Sequence, residues 1–131
     1  MEQEKQEGNL GNPTAQLVEK LGGKLTAYIA GVRKTSIIGD WIRGADGSAP
    51  DEKQQKRLDA AFEWVSFLTK ENVPTDEIQI RAQCLVWYDI GEMSPAKLFR
   101  NIDQQEPEKA ERLIQQAKEA TLNAYLHDLH D

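Results

Sequence analysis

Arg33, Lys34, Thr35 and Ser36 put two cations and two hydroxyls on consecutive residues, and Arg43 adds a further cation beyond Gly39 and Asp40. Hydroxyls and backbone amides at the start of a helix hold phosphate, helped by the positive end of the helix dipole. Cations beside them neutralise it, and an arginine also matches the acceptor edge of guanine. This chemistry suits a phosphate-bearing polymer, and it is local. From Lys20 to Arg43 five cations face one carboxylate, Asp40, a balance of +4; against the total of −6 the rest of the chain carries −10. An anionic partner fits this segment and no other.

Such residues need a scaffold that presents them. Residues 24–44, KLTAYIAGVRKTSIIGDWIRG, supply the parts of a helix-turn-helix. That motif joins two short helices by a tight turn, with a small residue and apolar anchors setting the angle. Ala27 is small enough for the next helix to approach, and Gly31 suits a turn position with positive φ. Val32 tucks beneath the first helix, while Ile38, Trp41 and Ile42 recur at helical spacing and anchor the second. Lys34, Thr35, Ser36, Gly39, Asp40 and Arg43 are left on its outer face, with Arg33 and Lys34 at the groove rim. Gly39 costs a helix about 1 kcal/mol relative to alanine, which close approach to DNA or a partner justifies. The segment predicts contact with double-stranded DNA. Because one short helix reads few base pairs, it also predicts a homodimer, joined through the last helix or the stripe at residues 64–67.

Helical periodicity dominates the remaining sequence and strand signals are nearly absent. Short helices are expected over 14–21, 25–30 and from Lys34 or Thr35 to Arg43. A long one follows from Ser48, Pro50 and Asp51 to about Lys70, with Leu58, Ala61, Phe62, Val65 and Leu68 on one face and Trp64 and Phe67 on a second. Thr75 caps a fifth helix whose inner face is Ile78, Ala82, Leu85 and Val86, ending at Asp89-Ile90-Gly91. Ser94-Pro95 reads as an N-cap followed by a first-turn proline, opening AKLFR. Pro107 starts a last helix reaching Leu126, with Ala110, Leu113 or Ile114, Ala117, Ala120 or Thr121, and Ala124 facing inward. The expected fold is all-α: a compact multi-helix domain with an N-terminal helix-turn-helix and a C-terminal helical extension. Residues 1–13 read as a disordered acidic tail, 14–71 as the helix-turn-helix domain with its long fourth helix, and 72–131 as a C-terminal helical subdomain.

Other chemistries find little footing. The chain has 131 residues, 39% of them hydrophobic, an ordinary balance for a globular domain. No apolar run approaches the roughly 18–20 residues that cross a bilayer, and the polar start is no targeting segment, so a cytoplasmic location and no membrane partner are expected. The lone Cys84 excludes an internal disulfide, and its apolar surroundings (CLVW) predict a buried, inert thiol. His127 and His130 share a helical turn but lack a further anchor, so no metal and no cofactor are expected. No nucleophile–base pairing, glycine-rich phosphate loop or zinc spacing points to an enzyme.

LGGKLTAYIAGVRKTSIIGDWIRG, followed by PDEKQQKRLDAAF, resembles a group of small bacterial proteins with a Cro/repressor-like helix-turn-helix. SPAKLFR is similar to an element of the toxin-binding domain of antitoxins that pair with RES-type toxins. The resemblance spans about residues 15–120. It implies a DNA-binding regulator, with an antitoxin that represses its own promoter as one form. It puts Arg33, Lys34, Thr35, Ser36 and Arg43 on the recognition segment, and Ser94, Pro95, Leu98 and Phe99 on the element that meets a protein toxin. An alternative from the residues themselves is a non-enzymatic adaptor whose helix-turn-helix reads no DNA. Trp64, Phe67, Trp87 and Tyr88 would then form an aromatic partner surface, if they do not pack the core.

Overall fold

A computed structural model describes residues 12–130. The expected tail at 1–13 lies outside them apart from Asn12 and Pro13, which open the first helix. Asn12 caps helix α1 (Pro13–Leu21) by accepting from the amides of Thr14 and Ala15, and the proline occupies a position that needs no N–H. α2 (Gly23–Ala30) and α3 (Thr35–Arg43) follow. α4 (Glu52–Lys70) starts with a capping box in which Asp51 and Gln54 satisfy each other's backbone amides. α5 (Thr75–Arg81), α6 (Pro95–Arg100), a 3-10 turn (Ile102–Gln104) and α7 (Pro107–Leu129) complete the helices. The all-α expectation holds: among the described residues seven α-helices accompany one small hairpin.

α4 is the strut. Leu58, Ala61, Val65 and Leu68 are buried on one side and Trp64 on another, while Phe62 and Phe67 are only partly covered. The Trp64 ring stands 5.6 Å from Phe99, and its indole N–H donates to the Ala117 carbonyl and the Thr121 hydroxyl, each at 3.3 Å. That N–H is satisfied in the core, so burial of the ring is not penalised. Trp64 is fully enclosed, so of the two aromatic residues in the 64–67 stripe only Phe67 reaches the surface. One cluster of buried side chains runs from Leu17 to Ala117. Residues 14–71 and 72–131 are therefore two stretches of chain sharing one core. α7 buries Leu113, Ile114, Ala117 and Thr121, whereas Ala124 is exposed.

The fifth helix is shorter than its periodicity suggested. It stops at Arg81, and Val86–Tyr88 (β1) pairs antiparallel with Gly91–Met93 (β2), Trp87 opposite Glu92 and Tyr88 opposite Gly91. Val, Trp and Tyr give up side-chain freedom in a helix and suit a pleated strand. Gly91, at φ 126°, takes a conformation that other residues avoid, immediately after the Asp89-Ile90 connection. Strand alternation then separates the neighbours: Tyr88 points inward and Trp87 outward, 75% exposed. Leu85, expected inside, is 65% exposed. Cys84 is exposed too, its thiol donating to the Ile80 carbonyl at 3.3 Å, so the buried thiol expected from CLVW is corrected by the early helix end. No helix among the described residues is long and apolar enough to cross a membrane.

Candidate nucleic-acid interface

The bend between α2 and α3 is built on Gly31. At φ 85° it adopts the left-handed conformation; its amide bonds back to Tyr28 and Ala27, and the Val32 amide reaches the Ala27 carbonyl at 3.0 Å. This is a Schellman closure, which supplies donors to the Ala27 and Tyr28 carbonyls in the last turn of α2. A side chain at Gly31 would also collide with Arg57, whose Nη1 lies 2.5 Å from an ideal Cβ. Arg57 comes from α4, and the same Nη1 donates to the Ala30 carbonyl at 2.9 Å while Nε donates to Asp103 at 2.7 Å. The Arg57 hydrogen bond holds the Asp103 carboxyl below its usual value.

Lys34 leads the chain into α3 in an extended conformation, and its own side chain makes no capping hydrogen bond to that helix. Ile38 is buried, and Trp41 and Ile42 pack against the core, as their spacing predicted. Arg33, Lys34, Thr35 and Ser36 are all exposed. They line a concavity of about 600 Å³ together with Lys24, Ala27, Tyr28, Val32 and Arg100. Lys24, Arg33, Lys34 and Arg100 line it, and no carboxylate does so among the described residues. The positive end of the α3 dipole opens onto the same space.

Of the remaining sequence-derived residues, Gly39 and Asp40 lie further along α3, half-buried, and Arg43 is exposed near its end. Arg43 is ion-paired with Asp40 one turn back, so neither side chain is as independent as its place on the outer face suggested. A Cβ on Gly39 would meet only the tip of the Arg43 side chain, at 3.2 Å. Among the described residues nothing in the packing requires glycine there.

No family model, curated protein or solved structure matches this chain.

The C-terminal element behaves differently from its expectation. Ser94 accepts from the Lys97 amide as an N-cap, and Pro95, Leu98 and Phe99 are buried inside this chain's own core. Their apolar faces are used up by packing on α4 and are not free for a protein partner, a correction to the role suggested by SPAKLFR. The residue of that element that does reach a surface site is Arg100. Its guanidinium lies over the Tyr28 ring, 4.6 Å from the centroid, and Nη1 donates to the Tyr28 carbonyl. Lys24 and Tyr28 were within reach of sequence reasoning, being four residues apart on the exposed side of α2. Arg100 was not, because only the docking of α6 on α2 brings it there. Among the described residues no group of His, Cys, Asp and Glu is arranged to hold a metal ion.

Proposed function

We propose that this protein is a cytoplasmic transcriptional regulator that binds double-stranded DNA through α3 as a homodimer. The observation that carries this reading is the exposed first turn of α3, anchored from behind by Ile38 and flanked by Lys24, Arg33, Lys34 and Arg100, with no opposing carboxylate among the described residues. Thr35 and Ser36 contact base edges or phosphate from the helix start, and Arg33 and Lys34 neutralise the backbone. The test is fluorescence anisotropy with labelled duplex across a salt series. Wild-type affinity falls steeply with salt; the double substitution Arg33→Ala and Lys34→Ala abolishes binding while the circular dichroism spectrum stays helical. Absence of duplex binding at low salt overturns the proposal.

A second reading, a helical protein-interaction adaptor, draws support from a different surface. Ile80, Leu85 and Trp87 are 55%, 65% and 75% exposed around the end of α5 and the hairpin. Large apolar side chains left in water favour a protein partner. The two readings combine in an autoregulating antitoxin, which meets DNA through α3 and a toxin elsewhere. In that case the toxin surface is this one, since Pro95, Leu98 and Phe99 are enclosed.

A further inference from the structure

Arg100 is unusual among the cations tied into this fold. Arg57 meets Asp103, Arg81 meets Glu77 and Asp128, Arg112 meets Asp89, and Lys118 meets Glu63. Each is neutralised by a carboxylate of its own chain. Acidic residues outnumber basic ones 22 to 16 here, so carboxylate partners are plentiful. Arg100 is also held in place, but by a ring face and a carbonyl, and it meets no carboxylate among the described residues. It lies beside the α3 start, on the wall that also carries Lys24.

A guanidinium fixed in this way has lost its rotamer freedom before any ligand arrives, so less entropy is lost when one binds. It keeps its full charge and further N–H donors after giving one to the Tyr28 carbonyl. A planar fork of donors in a concavity lined by cations matches the oxygens of a phosphate. Sequence-independent phosphate contacts also fix the register in which a recognition helix docks.

We infer that Arg100, with Lys24, forms a phosphodiester clamp on the α2 side of the concavity, gripping the DNA backbone next to the bases reached by α3. This rests on the DNA-binding reading and adds to the helix-turn-helix a contact from α6, some seventy residues further along the chain. Tyr28 is its positioning residue, holding the guanidinium without itself carrying charge.

The test uses the full chain and labelled duplexes of unrelated sequence, with anisotropy measured across a potassium chloride series. Arg100→Gln weakens binding about tenfold, equally for every duplex, as expected for a charged hydrogen bond. It also lowers the slope of log affinity against log salt by about one, the signature of one lost phosphate contact. Lys24→Ala does the same; Lys24 is exposed, so this variant reads the clamp even if Arg100→Gln unfolds. Arg100→Lys keeps the slope but weakens binding, because charge remains while the stacked fork is gone. Wild-type affinity and slope in folded Arg100→Gln, or in Lys24→Ala should the former not fold, overturn the clamp and leave the α3 reading standing. A wild-type chain that binds no duplex at low salt overturns both.

Discussion

Arg57 and Asp103 join two stretches of the chain 46 residues apart: Nε of Arg57 donates to the Asp103 carboxylate at 2.7 Å, and the pair is largely enclosed, the side chains 18% and 5% exposed. Through Nη1 the same arginine closes the end of α2 at Ala30, directly before the Gly31 bend. The 3-10 turn thereby braces the helix-turn-helix through α4. The end of α2, from which the chain turns into α3, is held by a contact that no local sequence pattern specifies.

Removing one member of this pair leaves the other partly buried and unpaired. Asp103→Ala is expected to destabilise the fold by about 2–3 kcal/mol, somewhat below the cost for a fully buried pair. Urea unfolding followed by far-ultraviolet circular dichroism measures it. A loss under about 0.5 kcal/mol would show that the brace is dispensable.

The same pair predicts an acid dependence. The Asp103 carboxyl is lowered chiefly by its hydrogen bond from Arg57. A depressed folded-state value means the stabilisation is complete above the unfolded value, about 3.9, and is lost as the pH falls through the folded one. The gap in urea midpoint between wild type and Asp103→Asn should therefore stay constant from about pH 7 to 5 and narrow below about 4. A gap that is unchanged down to about pH 2 contradicts the linkage.

Gly31 and Gly44 both have positive φ, 85° and 68°, yet they should respond differently to alanine. An alanine at either position carries a left-handed penalty of about 1–2 kcal/mol. At Gly44 nothing lies within 4 Å of the added methyl, whereas at Gly31 the methyl displaces Arg57. Thermal unfolding should place Gly31→Ala clearly below Gly44→Ala. Equal melting temperatures would indicate that Arg57 moves aside freely.

Gly39→Ala should separate stability from binding. Only the flexible Arg43 tip lies near the new methyl, so the helix gains up to about 1 kcal/mol. Duplex affinity should fall in the same variant if glycine is there for close approach to DNA. Higher stability with undiminished binding would remove Gly39 from the interface.

Much was legible in the sequence. Glycine and proline punctuation, N-caps and 3.6-residue periodicity are local signals, and they placed α1 to α4, the Gly31 bend, the Ser94-Pro95 start of α6 and the inward face of Ile38. The exposed order of Arg33, Lys34, Thr35 and Ser36 followed from that face. Between Arg81 and Met93 the local signal was ambiguous: a short apolar run reads equally as helix or strand, and cross-strand pairing settled it. That choice put Cys84, Leu85 and Trp87 in solvent.

Local pattern thus determined which segments are helical and which residues the α3 face presents. Tertiary structure alone decided what stands around that face. Docking of α6 and the 3-10 turn buries Leu98 and Phe99, carries Arg100 onto Tyr28 and sets Asp103 against Arg57. Those contacts join residues 46 and 72 positions apart. Side-chain periodicity reports only a residue's own helix, and it contains no information on which distant helix will share its surface.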